Sequence, residues 1–113
     1  MIELPFPAKI LWPNGRGHHM AKHRAFQKHK MWAYGAAKAA TDRGAVISTP
    51  VQWTVTVYPK TRNAIDDDNI RGSLKAYQDG IAQAFGVDDK NFAAPRIVVG
   101  NPVKGGLFVV TLG

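Results

Sequence analysis

The sequence contains no cysteine, which excludes disulfides and every thiolate metal site. It has no apolar run of eighteen or more residues, so no segment reads as a membrane-spanning helix. The opening Met1-Ile2-Glu3-Leu4-Pro5 lacks the basic flank and unbroken apolar stretch of a signal peptide, and the expected location is cytoplasmic. No repeat, linker or low-complexity stretch breaks up the 113 residues, a length suited to one domain over 1–113 with a single core.

Acidic residues are scarce as well, with 8 Asp and Glu against 15 Lys and Arg, for a net charge of +7. Such a balance points to a polyanionic partner. The distribution is uneven. Residues 1–62 hold ten Lys/Arg and only Glu3 and Asp42, whereas residues 63–113 hold five Lys/Arg and six Asp, all between positions 66 and 89. On a surface that only attracts phosphate, this cluster works against binding. A divalent cation held by the aspartates removes the contradiction.

Side-chain periodicity gives the outline of the fold. Residues 2–10 read as a broken edge strand, because Pro5 and Pro7 cannot donate to a central ladder. The stretch from Trp12 to Gly17 is turn chemistry. A helix is predicted over 20–41, with Ala21, Ala25, Trp32, Ala36 and Ala39 on its apolar face. Val51, Trp53, Val55 and Val57 alternate with polar or amphipathic residues, which predicts a strand over 51–58. A second helix is expected from Asp68 or Asn69 to Phe85, since Ile70, Leu74, Tyr77, Ile81 and Phe85 form a continuous stripe. Two strands, 96–99 and 107–112, complete the chain. The expected class is α+β: a mixed sheet of about four strands with two main helices.

The chemistry concentrates in I-D-D-D-N-I at 65–70 and V-D-D-K-N-F at 87–92. Asp66 and Asp68, two apart in extended chain, project to the same side. An uninterrupted helix over 69–85 is about 25 Å long, so Asp88 and Asp89 reach the same site only if the chain turns back after Gly86 or a partner subunit supplies them. Asp and Asn at a helix start are ordinary caps, but capping does not account for three in a row plus a second pair. A calcium loop of the EF-hand type fails at Ile70 and Arg71, where an oxygen ligand and a glycine are required. Mg²⁺, which prefers hard oxygen ligands, suits the cluster, and phosphodiester hydrolysis is the reaction such an ion serves.

Asp-Asp-Asp-Asn at 66–69, Lys-Ala-Tyr-Gln-Asp at 75–79 and Gly-Val-Asp-Asp at 86–89, in that order, resemble the RusA family of Holliday-junction resolvases, especially its phage and prophage members. The resemblance extends to the proline-rich first strand and the Leu11-Trp12-Pro13-Asn14 turn. It implies a Mg²⁺-dependent endodeoxyribonuclease that resolves four-way DNA junctions by paired symmetric nicks and works as a homodimer. The family's metal-binding acids fall on Asp66, Asp68 and Asp89, and its essential lysine on Lys75. The family's spacing puts that lysine one turn after the second aspartate, whereas Lys75 lies nearly two turns on, so Arg71 competes for the role. Asp88 competes with Asp89. Two other readings stand beside this one: a basic DNA-binding module without catalysis, and a metal-dependent nuclease acting on flaps or forks.

The segment 16–30 is densely cationic. Arg16, Lys22, Arg24, Lys28 and Lys30, together with Arg71, are the expected contacts to the DNA backbone, with His18, His19, His23 and His29 adding to the field. No Glu or Cys completes a zinc template around these histidines. Trp12 is either a stacking platform for an unpaired base or a core-edge anchor, and Trp32 and Trp53 read as core.

Overall fold

Alternation along residues 51–57 becomes the buried face of the sheet: Val51, Trp53, Val55 and Val57 are all nearly inaccessible. The computed structural model describes residues 1–12, 17–63 and 65–113. Within them the strands are β1 (Ile2–Leu4), β2 (Trp53–Tyr58), β3 (Arg96–Val99) and β4 (Leu107–Leu112). The helices are α1 (His19–Asp42), α2 (Asp67–Ser73) and α3 (Lys75–Phe85). The strands form one mixed sheet in the order β1-β4-β2-β3, with β4 antiparallel to β1 and β2, and β3 parallel to β2. The chain is therefore an α+β fold with a four-stranded mixed sheet among the described residues.

The register of β2 on β4 sets Val55 opposite Val110 and Val57 opposite Phe108, so the two central strands share an apolar face. Ile70, Leu74, Tyr77 and Ile81 close over it, as the stripe along the second helix predicts. β1 lies at the sheet edge, but it ends at Leu4, and residues 9–11 form a 3-10 turn instead of continuing the strand.

The second helix is not continuous. It breaks at Leu74, whose N–H bonds Arg71 O at 3.2 Å, three residues back. Gly72 weakens the helix there, and Ser73 Oγ donates to Ile70 O at 2.8 Å, drawing the turn tight.

The apolar face of α1 also differs from the expected one. The residues it buries are His29, Ala33 and Ala37. The cause is the crossing with α3 at Gly80. A Cβ added there would stand 2.9 Å from Ala33 Cβ and 2.9 Å from Tyr34 N, and closer still to Lys30 O. Backbones this close leave room only for small side chains, so alanines rather than large apolar residues mark the contact face. Trp32 is thereby turned out of the core, 39% exposed, with Lys28 Nζ 5.0 Å from its ring centroid. Trp53 is in the core as expected, its Nε1 donating to Ala93 O at 2.6 Å.

His29 does not belong to the cationic surface. It is buried between Trp32 and Tyr77, its Nδ1 lies 2.9 Å from Ala25 O, and its Nε2 accepts the Ala8 N–H at 3.3 Å. Burial lowers its pKa from 6.5, so the ring stays neutral and pins the segment after β1 to α1.

Candidate functional site

β2 delivers the chain to the aspartates, and β2, α2, α3 and β3 make a parallel βαβ unit. The start of its crossover lies beyond the carboxyl end of β2, the position where open α/β sheets commonly hold ligands. Asp66 is the N-cap of α2, and its Oδ1 accepts the Asp68 N–H at 2.9 Å. Asp67 and Asp68 occupy the first turn, where the helix dipole favours negative charge. Their tasks differ. Asp67 Oδ2 takes Arg71 Nε at 2.7 Å, while Arg71 Nη1 donates to Pro95 O at 2.9 Å. Arg71 is thus a strut between α2 and the start of β3. Asp68 has no ion-pair partner among the described residues and stays exposed.

The chain does turn back after α3. Gly86 takes the left-handed conformation (φ 70°), Val87 N–H returns to Ala82 O, and a 3-10 turn over Asp89–Asn91 follows. Gln78 Nε2 holds this turn through Asp89 O at 2.8 Å. As a result Asp89 lies against Lys75, the first residue of α3, and the two form an ion pair. Asp79, one turn along, approaches the same ammonium at 2.9 Å. Asp88 caps the 3-10 turn instead, accepting the Lys90 N–H at 3.1 Å. Of the Asp88–Asp89 pair, Asp89 is the one that meets Lys75.

Charge pairing favours the ionised form of both groups. Asp89, followed by Asp79, raises the Lys75 pKa above 10.5, and Lys75 draws the Asp89 carboxyl below 3.8. The predicted metal set is not drawn into one group. Among the described residues, no three His, Asp or Glu side chains are placed to share a metal ion. Asp66 and Asp68 lie together at one end of α2; Asp89 lies with Lys75 past the other. Seven residues make α2 about 10 Å long.

The cationic residues of α1 divide between two surfaces. Lys22 borders a small cleft shared with Lys75, and Lys30 borders one shared with Asp79, Asp88 and Asp89. Arg24 and Lys28 lie elsewhere, around a depression formed with His23, Met31 and Trp32. Arg16 lies outside the described residues, as do Pro13, Asn14 and Gly15 of the turn expected from Trp12 to Gly17.

Arg62, Asn63 and Asn101, which the sequence pattern did not single out, line a cleft of about 680 Å³ beside the α2 start. Positions 63 and 101 are far apart in the chain, and only the basic Lys-Thr-Arg-Asn run before the aspartates hinted at this surface.

No protein-family profile matches the chain. It is 34% identical over 116 residues to a protein of Xylella fastidiosa (strain Temecula1 / ATCC 700964) described as "Uncharacterized protein". The match covers 98% of this chain and 74% of that protein. This chain belongs to that protein's family. The shared length takes in nearly the whole fold, so the family is defined over the domain and not over one motif.

Proposed function

We propose that this chain is a Mg²⁺-dependent endodeoxyribonuclease acting on branched DNA, with four-way junctions as its substrate and a homodimer as its working form. The observation that carries the reading is the Lys75–Asp89 pair. Three separated parts of an ordered pattern, D-x-D-N, K-x-x-x-D and D-D, belong to a single βαβ unit, and its lysine is set against an acid of its last part. The net charge of +7 adds the field that attracts DNA.

Asp66 and Asp68 fit a hard divalent ion. Both are exposed carboxylates on one short turn, and Mg²⁺ is commonly held by one or two carboxylates, with water and substrate phosphate filling the remaining positions. Asp89, paired with Lys75 past the other end of α2, stands apart from Asp66 and Asp68. A bound ion supplies polarisation of the phosphoryl oxygen and a more acidic water. Lys75 supplies positive charge for the negative charge that builds on the phosphate. Arg71 is engaged by Asp67 and Pro95 O, and Lys75 by Asp79 and Asp89, so the choice of Lys75 for that task rests on the K-x-x-x-D pattern. On this reading Lys22, which shares a cleft with Lys75, takes a flanking phosphate, whereas Lys30 borders the acids Asp79, Asp88 and Asp89.

A second reading, a DNA-binding module without catalysis, is favoured by one observation: among the described residues the carboxylates do not gather into a group of three. Labelled four-way junction, flap and fork substrates, incubated with the full chain in Mg²⁺ or in EDTA at one salt concentration, separate the readings. Mg²⁺-dependent nicking that favours the junction supports the resolvase; preference for flaps or forks makes it a nuclease of another substrate class. Binding without nicking leaves the module.

A further inference from the structure

The cleft lined by Arg62, Asn63 and Asn101 lies where β2 and β3 both end, and Ile65 and Ile70 in its wall bracket Asp66–Asn69 in sequence. Its far wall is fixed. Gly100 N–H bonds Val57 O at 2.8 Å, and Val103 N–H bonds Pro59 O at 2.9 Å, tying the 100–103 segment to the end of β2. Gly100 is needed there, because a Cβ would stand 2.7 Å from the Tyr58 ring. A second cleft of about 320 Å³ adjoins the first, sharing Pro59, Asn63 and Ile65, and brings in Lys9, Lys60, Phe6 and Trp12. Lys60 Nζ lies 5.5 Å from the Phe6 ring centroid and Lys9 Nζ 5.8 Å from that of Trp12.

Two features of this double cleft bear on its ligand. Among the described residues it is lined by three cations and no carboxylate, and Lys9, Lys60 and Arg62 have no ion-pair partner. Its walls are apolar, with amides at the mouth and aromatic rings at one end. Cations along a groove that also carries aromatic rings is the arrangement that binds a single strand, phosphates on the cations and bases on the rings or apolar walls. Asparagine amides pair with base edges, and the larger volume falls within the range of small-molecule sites.

We infer that this double cleft holds an unpaired segment of a DNA strand, one base inserted between Ile65, Val99 and Pro102 and its neighbour stacked at Trp12, with the backbone crossing Arg62 and Lys60. The inference rests on the reading above that the partner is DNA, and it names the part of a branched substrate this chain grips: unstacked nucleotides at the branch, next to Asp66 and Asp68. Duplex DNA offers no free base to such a cleft.

Photocrosslinking tests it. The full chain in EDTA, where cleavage is silent, is irradiated with an oligodeoxynucleotide carrying 5-iododeoxyuridine, and the crosslinked peptides are mapped. Affinity for the same strand is measured by anisotropy for the native chain, Arg62→Ala/Lys60→Ala, Asn101→Ala, and Arg24→Ala/Lys28→Ala. The expected result is crosslinks at Trp12 and within 59–65 and 99–102. The double variant at 60 and 62 should lose on the order of tenfold in affinity with an unchanged circular dichroism spectrum, Asn101→Ala a smaller amount. Crosslinks confined to α1, with affinity lost only in the Arg24/Lys28 variant, overturn the inference. So does a ribo-oligonucleotide that binds more tightly through the same residues. Junction nicking in Mg²⁺ is a separate readout. A chain that crosslinks here but never nicks keeps the strand-binding cleft and loses the nuclease reading; one that nicks without crosslinking here does the reverse.

Discussion

Lys75 and Asp89 are ion-paired across 14 residues of sequence, brought together because the chain reverses at Gly86 and its return is held by Gln78. If Lys75 acts on charge that appears only during phosphodiester cleavage, its loss falls on the chemical step. Lys75→Ala should lower the single-turnover nicking rate by about 100-fold while changing junction affinity by no more than about threefold. Arg71→Ala is the contrast. It removes a strut to Pro95 O, so it should lower stability by about 0.5–1.5 kcal/mol and cleave at near-native rates once folded. Single-turnover rates and thermal melts on both variants decide, and the reverse pattern exchanges the two roles.

Asp68→Asn removes an exposed carboxylate while keeping the shape of the α2 start, whose cap is Asp66. Cleavage should fall by at least about 100-fold, whereas junction binding should hold or tighten because a negative charge beside phosphate is gone. A gel shift and a nicking assay on the same preparation read both. Cleavage within a few-fold of the native chain removes Asp68 from the metal site.

Gly80→Ala tests the helix crossing. The added methyl meets Ala33 and the α1 backbone, with no flexible side chain to yield. The expected cost is about 1–3 kcal/mol, or several degrees in Tm, despite the higher helix propensity of alanine. An unchanged or raised Tm contradicts the close crossing.

His29 gives stability a pH dependence of known sign. Its folded pKa lies below 6.5, so between the two values the unfolded chain binds more protons and stability rises with pH. The contribution is complete above the unfolded value and is lost as pH falls from there through the lower folded pKa. Melts between about pH 7.5 and 5.5 should show this loss in the native chain and a flatter profile in His29→Gln. An equal slope in both moves the titration to another group.

The alternation at Val51–Val57 and the stripe from Ile70 to Phe85 were legible because burial of large apolar side chains repeats at the period of a strand or a helix. The contact face of α1 was not. Ala33 and Ala37 pack by being small against Gly80, a property invisible to hydropathy, and Trp32 therefore read as core. The break at Leu74 was hidden because its apolar stripe runs on unbroken; Gly72 and Ser73 were its only local signs. At the site, the two-residue spacing of Asp66 and Asp68 was plain, while the return of Asp89 to Lys75 depends on a reversal that no local pattern measures. Arg62, Asn63 and Asn101 meet only because β2 and β3 end side by side.

The most direct test of the resolvase reading is cleavage of a four-way junction extruded in a supercoiled plasmid, in Mg²⁺, with sedimentation of the same protein at micromolar concentration. A junction has two equivalent strands to cut, and a twofold dimer presents two sites to them at once. The expected result is a dimer that converts supercoiled plasmid mainly to linear product, with no product in EDTA. A monomer that leaves the plasmid intact, or that accumulates nicked circles without linear product, contradicts it.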